Sequence, residues 1–376
     1  MSKLIARIAD YIRETDRLLL AFCVAASLFG SIEILSVTYR LSTLRPFAIQ
    51  IAGTFAGVFA AIIISMFNFE TFLKRWYLIA AGGIIPVILT FFFGFAPEGT
   101  DDKAWLDLGF TTFQPAELLK IAFIVTFTAH VSRVKQNINK PKYLLLLVLH
   151  GAFPVLLIHF QGDDGTALVF AVMFLFMLYA AGVSWKYFTA AIAAALVASP
   201  IVYFFVMNED QRKRIIGVFN IEADIKGSTY QQYRARMALA NGGVFGQGLF
   251  KGNLTQVGGV PEGRNDFIFV SIGEELGFIG CLLVIALLAA ICFKCIHTAR
   301  NCRKDSGKII CVGFFAMMFA QIFINIGMCT AILPVIGVTL PFFSAGGTSL
   351  LCTYFGVGLV LSVYLHRNSR IIYLHD

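Results

Sequence analysis

The stretch GVPEGRNDFIFVSIGEELGFIGCLLVIALL, residues 259–288, runs from a glycine-marked polar loop straight into an apolar segment, and it keeps Asp266, Glu274 and Glu275 where hydrocarbon should begin. Its apolar part is long enough to start a bilayer crossing, and a bilayer tolerates carboxylates only where they are paired or face a polar cavity. The rest of the chain has the same character. Hydrophobic residues make up 58% of its 376 positions and charged residues 14%, with 38 Phe and a mean hydropathy of +0.78. That leaves too little polar surface to cover a soluble globule of this size. Alternation of the kind shown by lipid-facing barrel strands is absent, so helices must do the crossing.

The reading is an all-α integral membrane protein: a single polytopic domain over 1–376, with about ten transmembrane helices. The expected spans are 17–38, 47–68, 73–96, 114–132, 143–160, 164–182, 185–206, 266–293, 308–337 and 346–366. The first is longer than a signal-peptide apolar region and lacks a small-residue cleavage pattern, so it is read as retained. Lys3, Arg7, Arg13, Arg17, Lys74, Arg75, the basic residues of 133–142 and 294–308, Lys186, Arg367 and Arg370 fall on one side, while the short loops opposite hold only Arg40, Arg45 and Lys103. By the positive-inside rule both termini are cytoplasmic. The segment 207–265 then becomes one long extracytoplasmic loop. It carries Arg212, Arg214, Arg234, Arg236, Lys251 and Arg264, and long loops translocate largely regardless of charge. These cations either balance the loop's own acids or form an anion site at the membrane surface, most simply for phosphate.

Other residues have two readings each. Asp266 is placed to cap a helix or, partly desolvated at the hydrocarbon rim, to act as a base. Glu117 and Lys120 lie three apart on one helix face and can pair, as structure or as a substrate contact. Trp105 suits an interfacial aromatic. Glu274 and Glu275 read as buried partners of other helices or as part of a polar cavity. All eight cysteines fall in apolar spans or, like Cys302, on the cytoplasmic side, which does not describe a disulfide scaffold.

Four motifs carry a family resemblance. AWLDLGFTTFQPAELLK (104–120), QGDDGTALV (161–169), STYQQYRARMALANGGVFGQGLFKGN with VPEGRNDFIFVSIGEELGFIG (228–253 and 260–280), and NIGMCTAILPVIGVTLPFFSAGGTSLL (325–351) occur in the order found in the SEDS proteins, the RodA, FtsW and SpoVE group. The chain departs from that pattern at Gly162, where Pro is usual, at Asp164, where an apolar residue is usual, and at Arg264–Asn265, where His–Thr is usual. The resemblance implies a peptidoglycan glycosyltransferase of the bacterial cell membrane that polymerises lipid II during elongation or division. It implies Asp266 as the catalytic base, with Trp105, Glu117, Lys120, Asp163 and the six basic loop residues binding substrate. No cofactor is required by that scheme, although a divalent cation, Mg or Mn, could help the loop cations hold the leaving pyrophosphate. The implied partners are a class B penicillin-binding protein and other elongation or division machinery, with no nucleic acid. Buried polar groups on ten spans would also suit a flippase for lipid-linked precursors, and a scaffold that only recruits a transpeptidase is a third reading. The clustering of polar residues at one face, with no counterpart at the other, favours the enzyme.

The topology has a direct check. A cysteine introduced as Lys251→Cys is expected to react with an impermeant thiol reagent in intact cells, and labelling only after permeabilisation would invert the map.

Overall fold

The computed structural model describes residues 11, 13–39, 43–96, 103–109 and 112–367, so Lys3, Arg7, Arg40 and Arg370 of the charge count lie outside the described residues. Among those described, ten helices are long and apolar enough to cross a membrane. In chain order the elements are α1 Arg17–Tyr39, α2 Arg45–Met66, a short α3 Phe69–Lys74, α4 Trp76–Phe93, the strands β1 Leu106–Asp107 and β2 Thr112–Phe113, and α5 Pro115–Val134. There follow α6 Pro141–His159, α7 Asp164–Ala181, α8 Trp185–Ile201, α9 Glu209–Phe219, α10 Tyr230–Gly242, α11 Ile268–Asn301, α12 Asp305–Cys329 and α13 Gly347–His366.

The bundle is built around α5, most of whose length is buried and which packs against α4, α12 and α13. Pro115 opens it, at the position where a missing N–H costs nothing. The most extensive helix pair is α2 with α13, and small residues let the backbones approach: a Cβ on Gly358 would meet the Cα of Ala61 at 3.0 Å. Tyr354 on α13 reaches across to Ser27 on α1, with 2.9 Å between the hydroxyls. In contrast, α8 has no buried residue along its length.

Two expected spans need correction. The apolar run 308–337 is not one helix, because α12 stops at Cys329 and residues 330–346 are turns and irregular backbone. Pro334 and Pro341 cannot donate to a helical ladder, and Gly337 sits at φ +63. Hydropathy cannot see that ending, since Ile332–Ile336 is as apolar as the helix before it. The span 266–293 is instead 268–301, broken at Gly277 with φ 68 and ψ −165. At about 1.5 Å per residue the part after the break is long enough to cross hydrocarbon alone. The half-helix carrying Glu274 and Glu275 is therefore an additional piece on the loop face.

Loop residues 243–248 fill the break. Gln247 and Gly248 donate their N–H groups to the carbonyls of Glu274 and Glu275, at 3.0 and 2.8 Å, while Phe278 and Ile279 donate to Gly243 and Val244, at 2.9 and 3.2 Å. At the opposite face, ion pairs tie helix ends together: Lys294 with Asp16 at 2.7 Å, Lys304 with Glu70 at 2.6 Å, and Lys135 with Asp305 at 3.3 Å.

A Cβ at Gly277 would lie 2.3 Å from the Gly246 nitrogen and 2.5 Å from the Val244 carbonyl oxygen. Gly277→Ala is thus expected to cost about 3 kcal/mol, from strain in a backbone region kept almost wholly to glycine. The readout is a lowered thermal midpoint of the detergent-solubilised protein. An unchanged midpoint would show that the break does not need glycine.

Candidate active site

The first helical residue of α11 is Ile268, and its cap position is Phe267, with no side-chain cap bond. The Asp266 carboxylate is therefore not spent as a cap. Its backbone, by contrast, is held firmly. The Asp266 carbonyl accepts from Asn325 Nδ2 at 2.7 Å, and the same amide donates to the Val338 carbonyl at 2.6 Å. The Arg264 carbonyl accepts from the Ala345 N–H at 2.9 Å. Ser344 Oγ donates to the Asn265 carbonyl at 2.8 Å while accepting from the Leu340 N–H at 2.8 Å. Gln50, a lone amide inside an apolar span, braces this loop from α2: it donates to the Phe342 and Ser344 carbonyls and accepts from Gly346 N–H.

Gly337 stands beside the reactive group. Its absent Cβ would lie 3.7 Å from Asp266 Oδ2, so glycine leaves room directly next to the carboxylate. Asp266 is only half-buried, yet the protein packed round its carboxyl, together with the charges of Glu262 and Asp163, pushes its pKa up to about 7.

Asp163 occupies the next position inward. It caps α7, accepting from the Thr166 N–H at 2.8 Å, and its other oxygen accepts from Gln114 Nε2 at 2.8 Å. Burial raises its pKa above the usual carboxylate range, partly opposed by the Thr166 bonds and by Lys120. Glu117 and Lys120 form the pair their spacing allows, 2.8 Å apart and 4% and 1% exposed. The structure thus brings Glu117, Lys120, Asp163 and Asp266 into one electrostatic group at the loop end of α5, α7 and α11.

The basic loop residues do not converge on one point. Arg214 Nη1 donates to the Val335 carbonyl at 3.4 Å, two residues from Gly337. Arg234 donates from Nε to the Gly259 carbonyl at 2.7 Å. Arg212 turns back to the Phe204 carbonyl at 2.9 Å, and Arg236, Lys251 and Arg264 are exposed. Trp105 is half-buried next to the β1–β2 hairpin, its carbonyl accepting from Phe95 N–H at 3.0 Å. That hairpin is tied to α13 by Thr348, whose hydroxyl donates to the Thr112 carbonyl at 3.0 Å. Among the described residues, no three His, Cys, Asp or Glu side chains cluster as a protein-held metal would need. No step below passes through a divalent cation.

Several residues of the site went unrecognised in the sequence. Asn325, Ser344 and Gln114 lie in the motifs quoted above but carry no charge to single them out. Gln50 had a readable signal, as an amide in an apolar span. Asp164 is hydrogen-bonded with His159 Nδ1 at 2.6 Å and accepts from Gln211 on α9 at 2.7 Å, which ties the large loop to the bundle.

The family model described as "Cell cycle protein", FtsW/RodA/SpoVE, matches residues 16–369. The chain belongs to this family. It is 33% identical over 286 residues to the peptidoglycan glycosyltransferase MrdB of Escherichia coli K12, covering 76% of each chain. It is 30% identical over 361 residues to the probable peptidoglycan glycosyltransferase FtsW of Geobacter sulfurreducens, covering 94% of this chain and 95% of the relative. Its fold is similar to that of a chain solved in work on coordination of polymerization and crosslinking by a peptidoglycan synthase complex, with a TM-score of 0.79 at 24% identity, over 93% of this chain and 97% of that one. The RodA rod shape determining protein of Thermus thermophilus superposes with a TM-score of 0.69 at 23% identity, over 94% and 98% of the two chains.

The Glu117–Lys120 pair gives a stability prediction. Glu117→Gln leaves a buried ammonium without its carboxylate and is expected to cost about 3 to 5 kcal/mol. The double change Glu117→Gln with Lys120→Met removes both charges and should restore part of the lost thermal midpoint. A double variant no more stable than the weaker single one would show that the pair is not coupled.

Proposed function

We propose that this membrane protein is a peptidoglycan glycosyltransferase that polymerises lipid II, with Asp266 as its general base. The observation that supports this best is a carboxylate freed from capping, 3.7 Å from where a Gly337 side chain would begin, with its pKa pushed up to about 7. A base is most effective when its pKa lies close to the working pH. In the reaction, Asp266 takes the proton from the C4 hydroxyl of the acceptor GlcNAc as that oxygen attacks the anomeric carbon of the donor MurNAc. The bond from that carbon to pyrophosphate breaks, the configuration inverts, and polyprenyl pyrophosphate leaves without needing an acid. Arg214, at the Val335 carbonyl, and Arg234, at the Gly259 carbonyl, are the cations assigned to the charge growing on the leaving group.

The charge distribution supports a chain in the bacterial cell membrane with both termini in the cytoplasm and the Asp266 face outside, where lipid-tethered sugars are joined. A crosslinking partner follows from the same chemistry, because new glycan must be tied into the existing wall. We assign that role to a class B penicillin-binding protein with a single membrane anchor.

Asp266→Asn keeps shape and loses the base. Purified full-length Asp266→Asn protein given lipid II alone is expected to fold normally and to form polymer at least about 10²-fold more slowly. For the wild type, kcat/KM should fall about tenfold per pH unit below about pH 7, as the carboxylate takes up its proton, and level off above it. Near wild-type polymerisation by Asp266→Asn would remove the assignment.

A further inference from the structure

Three carboxyl groups at 0% exposure take no part in this chemistry, Glu33, Glu274 and Glu275, and the last two hold the large loop. Glu274 and Glu275 end the first half of α11 at 0% exposure, and their described partners are neutral donors. Glu274 Oε1 accepts from the Leu254 N–H at 2.9 Å, and Oε2 from the N–H and the hydroxyl of Thr255, both at 2.7 Å. Glu275 accepts from the Phe250 N–H at 3.0 Å, from Gln256 Nε2 at 2.7 Å, and from the Ser36 hydroxyl on α1. Residues 250–256 are thus wrapped round two adjacent carboxyl groups. A turn folded this way depends on the bonds its own N–H groups make to two side chains of α11.

The wrapped turn leads to one cation. The Gly259 N–H donates to the Leu254 carbonyl at 2.7 Å, closing the turn at Gly258, whose φ is +68. The Gly259 carbonyl then receives Arg234 Nε. Three hydrogen bonds therefore connect Glu274, through Leu254 and Gly259, to a guanidinium on α10. Arg234 is half-buried and has no carboxylate partner among the described residues, so its charge is available to an anion. Seven residues beyond Gly259 the same strand of chain delivers Asp266.

We propose that Glu274 is a positioning residue for the anionic part of the substrate: it fixes the Leu254–Gly259 turn, whose carbonyl aims Arg234 at the pyrophosphate. This rests on the lipid II reading above. A role confined to stability would weaken every variant independently of Arg234, whereas positioning acts only through it.

The test uses purified full-length protein in detergent, titrated with lipid II, as wild type, Arg234→Gln, Glu274→Gln and the double variant. Arg234→Gln is expected to weaken binding about tenfold, the size of one charged hydrogen bond, and Glu274→Gln about five-fold. The double variant should stay within about twofold of Arg234→Gln, because the two changes remove one interaction. In turnover kcat/KM should fall about tenfold for Arg234→Gln and about five-fold for Glu274→Gln, with no further fall in the double variant. Thr255→Val, which removes a single donor to Glu274, provides a milder second variant and should weaken binding about twofold, again only when Arg234 is present. Wild-type affinity in Glu274→Gln and Thr255→Val, or multiplicative losses in the double variant, overturns the proposal. Hydrogen exchange separates this from failure of the polymerase reading. If the wild type neither binds nor polymerises lipid II, that reading falls. The clamp falls independently if the Leu254 and Thr255 amides are as protected in Glu274→Gln as in the wild type.

Discussion

At Gly277 a membrane helix stops hydrogen-bonding to itself, and the loop face of the protein is organised by how the freed groups are satisfied. In hydrocarbon an unpaired N–H or carbonyl costs several kcal/mol. The carbonyls of Glu274 and Glu275 and the N–H groups of Phe278 and Ile279 all find partners in 243–248. The large loop is therefore a structural member of the membrane domain and cannot be regarded as an appendage. It completes α11, and α11 in return holds residues 250–256 through two side chains. Asp266, at the other end of the same half-helix, inherits a platform fixed at both ends.

That platform explains how a carboxylate can be both well placed and unspent. Three successive carbonyls, at Arg264, Asn265 and Asp266, accept from Ala345, Ser344 and Asn325. Backbone contacts alone fix the position, so the side chain is left free for chemistry, and preorganisation of this kind is what lets a polar group act without reorganising during reaction. The same crowding withholds solvent from the carboxyl and keeps its proton affinity high.

Much of this was legible in the sequence, for reasons that also mark where legibility stopped. Ten spans were readable because hydrocarbon imposes length and composition together. The Glu117–Lys120 contact was readable because three residues is a helical contact distance. The end of α12 at Cys329 was not, because ILPVI is as apolar as a span, and proline inside α4, α6 and α8 is tolerated elsewhere in the same molecule. Glu274 and Glu275 were recognised as needing partners, but neutral backbone donors twenty residues upstream leave no pattern in composition. In the sequence the basic loop residues read as one cluster. Folding disperses them, because a guanidinium that finds a carbonyl, as Arg212 does at Phe204, is turned wherever that carbonyl lies.

The buried acids then fall into an order set by what neutralises each. Glu117 has a full cation in Lys120, and Glu274 and Glu275 have bundles of dipoles. Asp163 has a helix N-terminus and one amide, which offset its burial only in part, so its proton affinity stays raised. Asp266 has no described side-chain partner, and it feels both Glu262 and Asp163 as repulsion. Among these five, compensation declines from the ion pair inside α5 to the surface beside Gly337, and the least compensated of them is Asp266. A proton offered there by a bound hydroxyl meets an acid whose charged form the protein does little to stabilise, and which therefore gains from accepting it.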